Sequence, residues 1–365
     1  RAGSRYESAE NFGASHVIRS SAGLTTSKAT QFGIMRNLQQ IGAYLSATSD
    51  RETITYTLET SCNNVQDGMK YLKYVVTNQA FKPWELGDNA TRIRYELETV
   101  PLKAKLLNYL HMAAYRKGLG NNMFVRDYNI KKLGTETLQH YVHNTFLTHR
   151  AAVTGVGVDH GVLVEFADNL QMQSGSGRQC MLLNIHSVRI CSLTPFLLDF
   201  IVYFSLHRLT KKEVFAYSVL SYALGGRPCV KWGIGVDPLT KSLANVQSPT
   251  AAQAINIAHS DSGLFAVLVS STPDTAGYAM EAVMKVLKGG VSEEDVKRGK
   301  AQLKSEVLMS GESCQGLLAD LSTQSVLMGA ARSPSQLATG VDAVTTAQVK
   351  EVRLEPPSLE EVFMR

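Results

Sequence analysis

The chain has 365 residues, 44% hydrophobic and 19% charged, with 37 Lys and Arg against 32 Asp and Glu for a net charge of +5. At roughly 150 residues per domain this length predicts two to three domains, large enough to bury a core without disulfide or metal staples. No Lys/Arg run forms a nucleic-acid arm, and the five cysteines (Cys62, Cys180, Cys191, Cys229, Cys314) are scattered without a C-x-x-C pair, which argues against a disulfide framework or a cysteine zinc site.

Ile34, Leu38, Ile41 and Leu45 stack on one face of a predicted helix. Ile54, Tyr56 and Leu58 alternate with threonines and predict a strand. Val65, Met69, Leu72 and Val76 predict a second amphipathic helix, followed by a long helix through Glu96 that Pro101 bends or ends. A helix from Thr135 to Leu147 and a strand from Ala151 to Val158 close the first half. The apolar stretch Leu193 to Leu206 contains Pro195 and Asp199 and falls short of the about 20 residues a membrane span needs, so it reads as a buried strand or core segment. Leu303, Val307 and the run Met309–Leu317 read as core.

Sliding the sequence against itself by 210 positions aligns Leu45–Asp50 with Ile255–Ser260, Ile54–Leu58 with Leu264–Leu268, Glu96 with Glu306 and Val142 with Val352. The expected fold is therefore α+β: two homologous domains, residues 1–177 and 178–365, each a mostly antiparallel sheet with packed helices. Ser174-Gly175-Ser176-Gly177 is the expected linker. The repeat also implies that a strand is missing at each end, and Gln179–Leu193 and Leu354–Arg365 match no repeated element.

Ala2-Gly3-Ser4-Arg5-Tyr6-Glu7, then Asn11-Phe12-Gly13-Ala14-Ser15-His16, resembles the opening of the inverted-zincin (M16) processing peptidases, whose fold is of the LuxS/metallohydrolase-like type. In that family the run continues as H-x-x-E-H on a helix. The two histidines hold zinc, the glutamate activates water, and a second glutamate about eighty residues on is the third ligand. Here the motif reads His16-Val17-Ile18-Arg19-Ser20, and Glu96 stands at the distal position. By the resemblance His16 is the surviving ligand, Arg19 replaces the base and Ser20 the second histidine. One imidazole and one carboxylate fall short of the three protein ligands of a catalytic zinc. A general base is worth about 10²–10⁴ in rate, and arginine, always protonated, cannot be one. The resemblance thus implies no catalytic residue, no metal and no other cofactor, with Arg19 expected in a salt bridge to Glu96. In the second copy Gly226 falls opposite His16.

The resemblance covers about residues 1–175 and 213–353. Within the family, the Ser-His-x-x-Arg form and the segment Gly225-Gly226-Arg227-Pro228-Cys229-Val230-Lys231-Trp232-Gly233, poor in glycine, resemble the inactive core-protein branch. That branch implies a structural role on the matrix side of the mitochondrial inner membrane, in the ubiquinol–cytochrome c reductase complex (complex III). The partners it implies are core protein 1, cytochrome b and cytochrome c1, with no nucleic acid and no transmembrane span of its own. Two alternatives stay open: the non-catalytic substrate-binding subunit of a processing peptidase, and a residual metallopeptidase using His16 and Glu96. His140, His143 and His149 lack an acidic or cysteine partner at ligand spacing, so they read as exposed polar residues on or near a helix. Gly225-Gly226 and Gly233-x-Gly235 lack the Lys-Ser/Thr of a phosphate loop, and Ser20 and Ser21 sit in no nucleophile elbow.

Overall fold

The computed structural model describes residues 1–115, 117–175, 190–193, 198–206, 211–226, 235–246 and 248–351. Backbone contacts divide the chain into a unit of residues 1–183 with 318–331 and a unit of residues 184–317 with 332–365. The first contains α1 (Ala14–Ser20), α2 (Gln31–Gln40), β1 (Tyr44–Ser49), β2 (Ile54–Glu59), α3 (Val65–Thr77), α4 (Pro83–Thr99), α5 (Leu102–Ala114), α6 (Asp127–Ile130), α7 (Thr135–Thr145) and α8 (His160–Asn169). The chain continues with β3 (Ile190–Leu193), β4 (Leu198–Leu206), α9 (Lys211–Leu224), α10 (Pro238–Leu243), β5 (Ala251–Ala258), β6 (Gly263–Ser271), α11 (Ala276–Gly289) and α12 (Glu293–Ser310). α13 (Cys314–Met328), α14 (Pro334–Asp342) and α15 (Thr346–Glu351) follow. The Arg1 side chain donates to Val326 O at 3.0 Å and Leu327 O at 2.8 Å, which ties the end of α13 to the first unit.

Both units carry the same antiparallel hairpin followed by a 3₁₀ turn and a helix. Ser49 pairs with Ile54 and Ala258 with Gly263, and a backbone bond closes each turn, Asp50 to Thr53 at 2.8 Å and His259 to Ser262 at 2.7 Å. Ser49 and Ala258 are 209 positions apart, whereas the starts of α3 and α11, Val65 and Ala276, are 211 apart. The uniform 210-residue shift is thus a mean of two registers, because β6 is longer than β2, 9 residues against 6, and is joined to its 3₁₀ turn by one residue fewer. In the second unit the hairpin is extended to the antiparallel order β3-β4-β6-β5, so the described part of the apolar stretch, Leu193 and 198–206, is sheet, and β3 accounts for the last four residues of Gln179–Leu193. Among the described residues no helix is long and apolar enough to cross a membrane. Leu354–Arg365, most of Gln179–Leu193 and the latter half of the expected linker lie outside the described residues.

Three local expectations change. The helix expected to reach Leu45 ends at Gln40, because Gly42 takes φ +65° and reverses the chain into β1. Leu45 still packs with Ile34, Leu38 and Val75, now from a strand. Ala151–Val158 is not a strand: an alternating pattern needs a neighbouring backbone to ladder with, and the described sheet of this unit consists of β1 and β2 alone. Leu303 and Val307 belong to the core, but Met309 is 61% exposed, because α12 ends at Ser310 and its apolar face is not continued.

The second core joins α9, the inner face of β5 and β6, α11 and α12, with Val219, Phe265, Val267 and Val283 fully buried. Gly299 brings α12 against α9 so closely that a Cβ there would lie 2.7 Å from Ala223 N. The first core packs Ala14, Val17 and Ile18 of α1 against Ile93 of α4 and Leu138 and Tyr141 of α7. Gly42→Ala has free space and pays only the left-handed backbone cost, about 1–2 kcal/mol. Gly299→Ala must push two helix backbones apart, so urea unfolding will show a larger midpoint loss for Gly299→Ala than for Gly42→Ala.

Candidate functional site

A helix of 7 residues such as α1 does not persist on its own and is held by what surrounds it. Glu7 caps its N-terminus: one carboxylate oxygen accepts from Gly13 N–H at 2.8 Å, and the other from Ser15 N–H at 2.9 Å and Ser15 Oγ at 2.6 Å. Burial pushes the Glu7 carboxyl up to about 7, against the pull of those hydrogen bonds.

The motif residues line the side of α1 that faces α4. His16 is 2% exposed, with the Phe124 ring edge-on at 5.8 Å. Its Nδ1 accepts from the Val125 backbone N–H at 3.2 Å. A neutral imidazole has one donor and one acceptor, so this bond assigns the proton to Nε2, which lies 3.4 Å from Glu96 Oε1. Arg19 Nη2 donates to the same oxygen, forming the ion pair expected from the sequence. Ser20 Oγ donates to Asn89 Oδ1 at 3.2 Å and accepts from Arg92 Nη2 at 3.1 Å, while Asn89 Nδ2 donates to Ser21 Oγ at 3.3 Å. Asn89, Arg92 and Glu96 follow helical spacing on one face of α4, so three consecutive turns of that helix are bonded to α1. The hydrogen bond from His16, then the Arg19 charge, hold the Glu96 carboxyl down to about 2 despite partial burial.

This arrangement does not fit the zinc that the family motif implies. The lone pair on Nδ1 of His16 is taken by a backbone amide, and Nε2 carries the proton where a metal would need an electron pair. Glu96 is already neutralised by a guanidinium, and the hydroxyl of Ser20 is bonded on both sides. In the second unit, Gly226, expected opposite His16, lies beyond the end of α9 at Leu224 and not inside a helix, and its carbonyl accepts from Gln253 Nε2 at 2.8 Å. No three His, Cys, Asp or Glu side chains among the described residues form a metal-holding group. His140 pairs with Asn144, and His143 lines a cavity between α3 and α7. Gly225 and Gly226 follow α9, and residues 227–234 lie outside the described residues. The sequence reading missed Asn89, Arg92, Glu7 and Val125. The first two were within reach, lying seven and four residues before Glu96 on the same helix. The Val125 contact is made by a backbone amide, which no side-chain motif encodes.

A two-unit scaffold with this helix pair and an altered zinc motif defines a class, and sequence comparison names it. Residues 1–126 match the insulinase domain of peptidase family M16, and residues 132–303 match the peptidase M16 inactive domain. The chain belongs to the peptidase M16 family. It is 32% identical over 359 residues to human mitochondrial cytochrome b-c1 complex subunit 2, covering 96% of this chain and 79% of that protein. Its mouse counterpart is 31% identical over 362 residues with the same coverage. The mitochondrial-processing peptidase subunit alpha of Solanum tuberosum is 23% identical over 376 residues, covering 96% of this chain and 73% of that protein.

Two measurements read the site directly. The ¹⁵N shifts of His16 will show a protonated Nε2 and an unprotonated Nδ1 in the neutral ring. The Glu96 carboxyl, ordinarily near 4.5, will titrate near 2. Because its folded value is depressed, its stabilisation is present above about 4.5 and lost as pH falls through about 2. Unfolding titrations will therefore find a steeper loss of stability across that window in the wild type than in Glu96→Gln.

Proposed function

We propose that the chain is a non-catalytic structural subunit of the mitochondrial cytochrome b-c1 complex. In this reading it lies on the matrix side of the inner membrane beside core protein 1 and supports cytochrome b and cytochrome c1. The observation that carries the loss of catalysis is the Arg19–Glu96 ion pair. Arginine remains protonated and cannot activate water, and its fixed charge repels a divalent ion from the place where one would act. The human and mouse relatives, each subunit 2 of the mitochondrial cytochrome b-c1 complex, supply the assembly. No catalytic residue, metal or cofactor is assigned, and His16, Arg19, Ser20 and Glu96 act as packing and polar links between α1 and α4.

The potato relative favours a second reading, that of the substrate-binding partner in a processing peptidase. A residual metallopeptidase built on His16 and Glu96 is disfavoured by the tautomer of His16 and the occupied carboxylate. Native electrophoresis of detergent-solubilised mitochondria, with this chain located by mass spectrometry, separates the readings. The structural reading expects migration in one large assembly with cytochromes b and c1. Recovery as a small soluble heterodimer with an H-x-x-E-H partner would transfer the assignment to the processing peptidase.

A further inference from the structure

The segment after Val125, whose amide holds His16, carries three cations and one carboxylate: Arg126, Lys131 and Lys132 against Asp127. The carboxylate is already taken, because Arg94 Nε donates to Asp127 Oδ1 at 2.6 Å. Among the described residues no ion pair includes Arg126, Lys131 or Lys132, and all three are exposed.

These charges gather around exposed aromatic rings. Tyr128 is 59% exposed. Its hydroxyl accepts from Arg126 Nη1 at 3.3 Å, and Lys132 Nζ lies 5.7 Å from the ring centroid. Asn129 Nδ2 donates to Phe12 O at 3.3 Å, which sets a second ring, 40% exposed, beside the same segment. The base of the segment is anchored, since Val125, Ile130 and Leu133 are buried in the first core. Like charges held around one ring repel each other, water and salt screen that repulsion only in part, and an anionic neighbour removes it.

We propose that this surface docks an acidic segment of a neighbouring protein subunit. Its carboxylates meet Arg126, Lys131 and Lys132, and an apolar side chain packs against Phe12 and Tyr128. Tyr, Phe and Arg are enriched at protein interfaces, and cations beside them select an acidic partner and speed its docking. Three cations fall short of the about four to eight with which a protein segment holds an anionic bilayer, so the charge fits a protein neighbour better than a lipid surface. A neighbour is required, so this surface rests on the subunit reading above.

The test uses the detergent-solubilised mitochondrial assembly that contains this chain. Lysine acetylation, read by mass spectrometry, should spare Lys131 and Lys132 in the intact assembly and modify both in the chain released from it. Zero-length carbodiimide coupling should join one of these lysines to an Asp or Glu of a neighbouring subunit. Lys131→Glu with Lys132→Glu, expressed in place of the wild type, should lower the share of the chain recovered in the assembly about tenfold or more, because like charges then meet across the interface. Lys131→Arg with Lys132→Arg should assemble as the wild type does. Equal acetylation of both lysines in the assembled and released chain would overturn the proposal, whether or not the Glu variant folds. Coupling confined to the chain's own carboxylates would overturn it too, as would protection that vanishes when phospholipase strips bound lipid. A small heterodimer in place of the large assembly would overturn the subunit reading alone, because the same comparison runs on that pair, and a chain that migrates by itself would overturn both.

Discussion

The oxygen of Glu96 that faces α1 is shared by two donors, the imidazole of His16 and the guanidinium of Arg19, and the layout of the first unit depends on that convergence. In a zinc peptidase of this family a metal would join the two helices and concentrate positive charge between them. Here Arg19 supplies the charge, while Arg92 and Asn89 bond to the serine pair that follows it. The half-buried ion pair is modest in energy by itself, of the order of 1 kcal/mol or less for an exposed equivalent. Its effect is positional: it satisfies the carboxylate, aligns α4 against a short helix and leaves no open ligand. Glu7 completes the arrangement from the other end by capping α1.

The same scaffold appears twice, and the differences between the copies are informative. The hairpins match in turn length and turn bond, which the alternating strands and their four-residue connection impose. The copies diverge where the sheet is widened: β6 carries β4 and β3 on its outer edge, while the described sheet of the first unit has only β1 and β2. Such repetition preserves the packing of a helical layer on a hairpin while the residues lining the helices are free to change. The first unit then keeps His16 and Glu96 bonded within the protein, and α9 of the second contains no histidine.

Much of this was legible in the sequence. The strand β2, α3 and the break at Pro101 follow from period and from proline, and the identity of the motif positions follows from the resemblance carried by Gly3 to His16. What was not legible has physical causes. Leu45 continued a helical spacing that a single left-handed glycine interrupts, and its packing partners are the same either way. Residues 151–158 carried a strand pattern without a described partner to ladder with. The tautomer of His16 is set by the amide of Val125, 109 residues away, a relation that exists only once the chain has folded.

The account turns on the claim that charge on Arg19 has taken the place of a metal, and linkage makes this directly measurable, since any ligand bound by the native state alone raises its stability. The decisive measurement is the thermal unfolding midpoint of the purified chain in excess zinc and again in excess chelator. The same midpoint in both is the result required here. A midpoint that rises with zinc and falls with chelator, and whose rise disappears in His16→Ala, would contradict the account.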